Sequence, residues 1–187
     1  MTIRRVLIPN RGEIAARIIR TCRRLGIEAV LGASDADLAS VPARHADQVI
    51  RLGPPKATAS YLNVDAVVAA ARAVKADAVH PGYGFLSENA RFAEILRAHG
   101  IAFIGPSPEH IRMMGDKIEA KRTAKRLGIP VVPGSDGAIA GEEAAERLAD
   151  EIGYPVLIKA AAGGGGRGMK VARNKSELAS ALSTARA

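Results

Sequence analysis

The stretch Tyr154-Pro155-Val156-Leu157-Ile158-Lys159-Ala160-Ala161-Ala162-Gly163-Gly164-Gly165-Gly166-Arg167-Gly168-Met169-Lys170-Val171-Ala172-Arg173-Asn174 places a glycine-rich loop between two short strand-forming runs. Val156, Leu157 and Ile158 are consecutive apolar residues of high strand propensity, and Met169 to Ala172 alternate apolar and polar. Glycine loses more conformational freedom on folding than any other residue, so five glycines in six positions need a physical reason. Close approach of backbone N–H groups to phosphate oxygens is such a reason. Gly163, Gly165 and Gly168 satisfy G-x-G-x-x-G, but a dinucleotide fingerprint leads from a strand into a helix, and this loop leads into another strand. A phosphate loop fails as well, because Met169 stands where a lysine should follow Gly168. A strand–glycine loop–strand unit is instead a flap able to cover a triphosphate, with Lys159 at the end of the incoming strand to reach phosphate oxygens. The plainer reading is a hairpin with a solvated lysine, and the cost of so many glycines weighs against it.

Outward from this stretch, 187 residues suffice for one domain and part of another. A hydrophobic content of 48% with 3% aromatics implies a core of Val, Ile, Leu and Ala and excludes a disordered chain. No apolar run is long enough to span a membrane and the first residues do not form a secretory signal, so a cytoplasmic protein is expected. The single cysteine, Cys22, excludes an internal disulfide framework and reads as core. The net charge of +8 raises the question of nucleic acid, but the arginines are scattered and stacking aromatics are scarce, so no nucleic-acid partner is expected. An anionic small substrate fits better.

In chain order, Val6-Leu7-Ile8 predicts a buried strand followed by a helix with Ile14, Ile18, Cys22 and Leu25 on its apolar face, stopped by Gly26. Further strands are predicted at 27–31, 48–52, 77–80 and 101–105, alternating with helices, of which one is capped by Asn63 and another by Ser107. This is the pattern of an α/β fold with a doubly wound, mostly parallel sheet. In such sheets ligands collect at strand-to-helix loops, which directs attention to His80-Pro81-Gly82-Tyr83-Gly84-Phe85-Leu86-Ser87-Glu88-Asn89. Tyr83 and Glu88 are candidates for substrate contact there, whereas His80 reads first as a structural histidine. Met113 and Met114 read as gap-filling core. Lys117, at a break between two predicted helices, is placed to meet an anion. A helix is predicted over 142–152, and Asn174 with Glu177 predicts a capping box for a last helix from Lys175. That helix meets no stop signal, so the domain holding the flap is expected to be incomplete, with the apolar face at Leu178 and Leu182 lacking its covering layer.

Five blocks in one order carry a resemblance: Asn10-Arg11-Gly12-Glu13-Ile14-Ala15, the loop from His80 to Asn89, Met114-Gly115-Asp116-Lys117, Val132-Pro133-Gly134-Ser135, and Ile158-Lys159-Ala160 through Gly163 to Met169. Together they resemble the biotin carboxylase family, the ATP-grasp subunit or domain of acetyl-CoA, propionyl-CoA and pyruvate carboxylases. The resemblance implies a Rossmann-like pre-ATP-grasp domain at 1–114 and a partial ATP-grasp domain at 115–187 with a glycine-rich hairpin flap. It implies ATP and bicarbonate as substrates, biotin on a carrier domain as acceptor, and magnesium. It also implies a carboxyltransferase partner and a homodimer in the full-length protein.

Residue by residue, Lys117 and Lys159 resemble the family's ATP-binding lysines, and Gly163, Gly164, Gly165, Gly166, Arg167 and Gly168 its lid over the triphosphate. Tyr83, Gly84 and Glu88 lie on the loop that resembles the biotin side of the cleft. Arg20 lies on the helix used in dimerisation, and Arg24 departs from the acidic residue of some members. Ala162 departs from members with a longer glycine run. The family's magnesium carboxylates, bicarbonate-binding residues, adenine-contacting hinge and catalytic base follow the flap, so no catalytic residue or metal ligand is expected in this chain. The alternatives are another ATP-grasp ligase such as a carbamoyl-phosphate synthase, or a non-catalytic dimerisation or binding module.

Overall fold

The computed structural model describes residues 2–135, 137–159 and 169–186, which form two compact units, Met1–Gly115 and Asp116–Ala187. Among the described residues of the first unit, strands β1 (Arg5–Ile8), β2 (Glu28–Ser34), β3 (Gln48–Gly53), β4 (Ala78–Val79) and β5 (Ala102–Phe103) form one sheet in the order β3-β2-β1-β4-β5. Every pairing in it is parallel, with Val6 opposite Ala29 on one side and Ala78 on the other. Helices α1 (Gly12–Arg24), α2 (Val41–His45), α3 (Val64–Ala73), α4 (Ala90–Ala98) and α5 (Pro108–Gly115) complete the unit.

Strand β1 shows why both faces of the sheet are covered. Its side chains alternate, and all three apolar ones are buried. Val6 and Ile8 join Ala29, Leu31 and Ala78 in a core with Ala15, Ile19 and Cys22 of α1. Leu7 joins Val30 and Val79 in a second core with Val67, Val68 and Ala71 of α3 and Phe92 and Leu96 of α4. Each fully buried Leu or Ile contributes about 1.5–3 kcal/mol. The doubly wound, parallel architecture expected from the sequence is therefore present.

Local signals set the helix starts. The Asn63 side chain accepts from Ala66 N at 3.0 Å, and Asn89 accepts from Phe92 N at 2.9 Å, each satisfying an N–H that the first turn leaves unpaired. Two expectations are corrected. The buried face of α1 is Ala15, Ile19 and Cys22; Ile14 and Ile18 flank it half-buried, and Leu25 is 66% exposed because it closes the helix just before Gly26 turns the chain at φ +66°. Met114 is exposed and not core, since the buried side of α5 comprises Pro108 and Ile111.

The second unit contains α6 (Lys117–Arg126), α7 (Glu142–Ile152), β6 (Val156–Ile158), β7 (Lys170–Ala172) and α8 (Lys175–Arg186). Strands β6 and β7 are antiparallel, with Leu157 opposite Val171, so two strands enter and leave the glycine-rich segment as the sequence predicts. The segment itself, Gly163 to Gly168, lies outside the described residues. Ala145 and Ala149 of α7, Ala172, and Leu178 and Ala181 of α8 form the core of the unit, flanked by Val156 and Ile158. Leu178 is 1% exposed, which corrects the expectation of an uncovered helix face: two alanines one helical turn apart let α7 approach closely and cover it. Exposed apolar side chains of the unit include Leu157, Met169 and Val171 on the strands and Leu127, Ile129 and Val132 after α6. Asn174 caps α8 by accepting from Glu177 N at 3.1 Å, while the Glu177 carboxylate accepts from Arg173 N at 2.9 Å, one residue earlier than in a regular capping box.

Candidate functional site

Between β1 and β4 the chain reverses its direction of winding. Strand β1 leads to α1 on one face and β4 leads to α4 on the other, so their connecting loops meet at the switch point where open parallel sheets collect ligands. Asn10 stands at this point, 3% exposed. Its Nδ2 donates to the carbonyls of Pro81, at 2.7 Å, and Tyr83, at 2.9 Å, while its Oδ1 accepts from Arg11 N at 2.8 Å. A single amide thus joins the loop after β1 to the loop after β4 and leaves none of its principal groups unpaired. Gly82 passes over it at φ +68°.

Tyr83 is 67% exposed, and its hydroxyl donates to Glu13 Oε1 at 3.4 Å. Gly84 follows at φ +71° and Phe85 at φ +43°, a conformation that a bulky residue rarely adopts. The Phe85 ring stacks on Tyr61, with centroids 4.8 Å apart and planes 16° apart. Glu88 is exposed, one residue before the cap of α4. His80 Nδ1 accepts from Gly82 N at 3.1 Å, and burial holds its pKa below the usual range, so the neutral ring serves the turn as an acceptor.

Behind the loop lies a network that the sequence reading did not single out. Asp37 follows β2 and is buried. Its carboxylate accepts from Arg11 Nε at 3.0 Å and the Arg11 terminal nitrogen at 2.8 Å, from Ser34 Oγ at 2.9 Å and from the Tyr61 hydroxyl at 2.8 Å. The Arg11 hydrogen bonds, aided by Tyr61 and Ser34, outweigh burial and lower the Asp37 pKa to about 2. The same pairing raises the Arg11 pKa. The Tyr61 hydroxyl also accepts from Ser34 N at 3.1 Å, and its pKa is raised, first by burial. Arg11 and Asp37 are 26 residues apart, and no local pattern announces their pairing. The available signal was position, because Asn10 and Arg11 follow a buried strand where ligand loops begin.

In the second unit, Lys117 is the first residue of α6 and is exposed. Asp116 caps that helix, accepting from Ile118 N at 2.8 Å and Glu119 N at 2.9 Å, and these N–H groups hold its pKa low. Lys159 directly follows β6 and is exposed. Gly163, Gly164, Gly165, Gly166, Arg167 and Gly168 lie outside the described residues. Lys121 Nζ donates to Ser135 O at 3.0 Å and ties α6 to the segment after it. Among the described residues, no group of three or more His, Cys, Asp or Glu could hold a metal ion, and no helix is long and apolar enough to cross a membrane.

Two family models cover nearly the whole chain. Residues 2–111 match the biotin carboxylase N-terminal domain, and residues 116–187 match the ATP binding domain of the carbamoyl-phosphate synthase L chain. A biotin carboxylase of Halalkalibacterium halodurans is 52% identical over 96% of this chain and 40% of its own length. The human mitochondrial propionyl-CoA carboxylase alpha chain is 51% identical over 94% of this chain and 24% of its own. Among solved structures, a Campylobacter jejuni biotin carboxylase in complex with β,γ-ATP is similar with a TM-score of 0.93 and 52% identity, covering 98% of this chain and 41% of that one. The biotin carboxylase domain dimer of the Hydrogenobacter thermophilus 2-oxoglutarate carboxylase, with MgADP and bicarbonate, has a TM-score of 0.88 at 45% identity and covers 99% and 41%. The chain spans about 40% of the length of the curated biotin carboxylases it matches. With a family model over more than half the chain and the two-faced parallel sheet beneath it, this protein belongs to the biotin carboxylase N-terminal domain family.

Proposed function

We propose that this chain supplies the N-terminal portion of an ATP-dependent ligase that carboxylates biotin, the first half-reaction of an acyl-CoA or pyruvate carboxylase. The observation that carries the reading is the 52% identity and TM-score of 0.93 to a biotin carboxylase over 98% of the chain. In this reaction the γ-phosphoryl group of ATP passes to bicarbonate, giving ADP and carboxyphosphate. Breakdown of carboxyphosphate to phosphate then delivers the carboxyl group to biotin on a carrier domain.

Phosphoryl transfer depends on positioning and charge neutralisation. Lys117 and Lys159 supply positive charge to the nucleotide phosphates, and Gly163 to Gly168 with Arg167 cover them. Tyr83, Gly84 and Glu88 line the biotin side, on the loop that Asn10 holds beyond the ends of β1 and β4. The described residues offer no carboxylate cluster that fits magnesium. The partners of the full enzyme are the biotin carboxyl carrier domain, the carboxyltransferase and a second biotin carboxylase copy, in the cytoplasm.

The name of the second family model favours a carbamoyl-phosphate synthase, but the relatives aligned through the same residues are biotin carboxylases and propionyl-CoA carboxylase alpha chains. The test is ADP release with ATP, magnesium, bicarbonate and free biotin. The enzyme that carries this chain releases ADP in a biotin-stimulated manner, and the isolated 187 residues do not turn over. Stimulation by an ammonia donor in place of biotin would shift the reading to the synthase, and bicarbonate-dependent turnover by the isolated chain would show that catalytic residues lie within it.

A further inference from the structure

The loop between β4 and α4 is anchored on each side of an exposed tip. On one side Asn10 Nδ2 holds the Tyr83 carbonyl at 2.9 Å. On the other the Phe85 ring lies on Tyr61. Gly84, between them at φ +71°, has open space where a side chain would stand. The tip's own hydrogen bonds are one turn bond, from Ser87 N to the Gly84 carbonyl at 2.9 Å, and the long one from the Tyr83 hydroxyl to Glu13 at 3.4 Å, so the two anchors add the hold on either side.

The Phe85 anchor opposes strain. A bulky residue at φ +43° persists only where its surroundings hold it. Tyr61 can supply that hold because its own ring is fixed: 2% of it is exposed, and its hydroxyl is bound by Asp37 at 2.8 Å and by Ser34 N at 3.1 Å. Asp37 is in turn clamped by Arg11, the residue after Asn10. The two anchors therefore share one support at the end of β1.

We propose that Asn10, Asp37 and Tyr61 are positioning residues that set the Tyr83–Gly84 tip for biotin, Tyr61 acting through the strained Phe85. The proposal rests on the biotin-side reading of this loop given above. It differs from a structural role in what it leaves unchanged: nucleotide use continues while the tip loosens and biotin is held less well.

The test combines two measurements on Tyr61→Leu, with Tyr61→Phe as the conservative variant. Backbone ¹⁵N relaxation on the 187-residue chain reads the tip directly. In Tyr61→Leu the Gly84 amide order parameter drops from the rigid range of ~0.85 toward ~0.6, and Tyr61→Phe, which keeps the ring stack but loses the hydroxyl that Asp37 and Ser34 N hold, falls between the two. Steady-state ADP release by the enzyme carrying the chain reads function. The KM for free biotin rises by about two- to tenfold, the worth of an aromatic stack, while the KM for ATP stays within about twofold. If Tyr61→Leu does not fold, Phe85→Ala removes the same stack from the loop side. A Gly84 amide as ordered in the variant as in the parent overturns the proposal, as does an equal rise in both KM values. A loosened tip with an unchanged biotin KM upholds the relay and overturns the biotin-side assignment of the loop.

Discussion

A Cβ built on Gly82 would stand 2.7 Å from Nδ2 of Asn10, closer than real Cβ atoms come to their neighbours. It would also stand 2.6 Å from Ile14 Cγ2, and the backbone there is at φ +68°. Gly82→Ala should therefore combine backbone strain with displacement of the amide that joins the two loops. The expected loss is about 2–4 kcal/mol. Gly26→Ala is the control: its φ of +66° is similar but nothing lies within 4 Å, so only the backbone cost of about 1–2 kcal/mol applies. Urea unfolding of the two variants should show this order, and equal losses would remove the steric argument.

At Asn10 the direction of the hydrogen bonds matters more than their number. Asn10→Ala leaves two inward-facing carbonyls without their donor and should cost about 1–3 kcal/mol. Asn10→Asp at neutral pH places an ionised, acceptor-only group against the same carbonyls and should cost more than the alanine. As pH falls and the new carboxyl group protonates, it regains a donor and the gap to Asn10→Ala should narrow. Denaturant titrations of the two variants at neutral and mildly acidic pH decide the matter.

Asp37 gives the first unit an acid limit. Its pKa in the folded chain is about 2, lowered first by the Arg11 hydrogen bonds, against an ordinary value of 3.8. The unfolded chain thus takes up this proton more readily than the folded one. The stabilisation is fully present above the unfolded value and is lost as pH falls through the folded one. At ~1.4 kcal/mol per pH unit it amounts to about 2 kcal/mol. Asp37→Asn should cost at least this much at neutral pH, with the difference from the parent shrinking between about pH 4 and pH 2. A difference that stayed constant with pH would mean that Asp37 is not the titrating group.

Lys159→Met and Lys117→Met test the nucleotide side. A charge-assisted hydrogen bond to phosphate is worth about 1.5–3 kcal/mol, so each change should weaken ATP use in the enzyme by about ten- to a hundredfold or more. Protein stability should barely move, because both residues are exposed. ATP kinetics unchanged in Lys159→Met would take that residue out of the site.

Much of the fold was legible because its causes are local. Asn63 and Gly26 mark a helix start and a helix stop through groups within a few residues, and the unbroken apolar run of Val6 to Ile8 announces a strand covered on both faces. The arms of the glycine-rich hairpin were readable for the same reason. What escaped depends on distant partners. Whether Leu178 is covered depends on Ala145 and Ala149, and alanine in a sequence does not announce which way it faces. The Arg11–Asp37–Tyr61 network joins three segments, and its acid sits in a stretch that reads simply as polar loop. Phe85 could not be identified as strained, because its backbone angle is held by a ring 24 positions away.

The division of β1 between two cores also limits where the chain can change length. Removing one residue from Val6-Leu7-Ile8 would turn every later side chain of the strand to the opposite face, exchanging the neighbours of α1 for those of α3 and α4. The connection between β2 and β3 must place Asp37, helix α2 with its buried Pro42 and with Ala43 and Ala46 against the α1 core, and the Asp47 carboxylate that accepts from Ala29 N at 2.8 Å, but between Asp37 and α2 the side chains of Leu38 and Ala39 are exposed. Insertions among relatives should therefore accumulate at the exposed turn of Leu38 and Ala39, whereas strand β1 should keep its length through any drift in its composition.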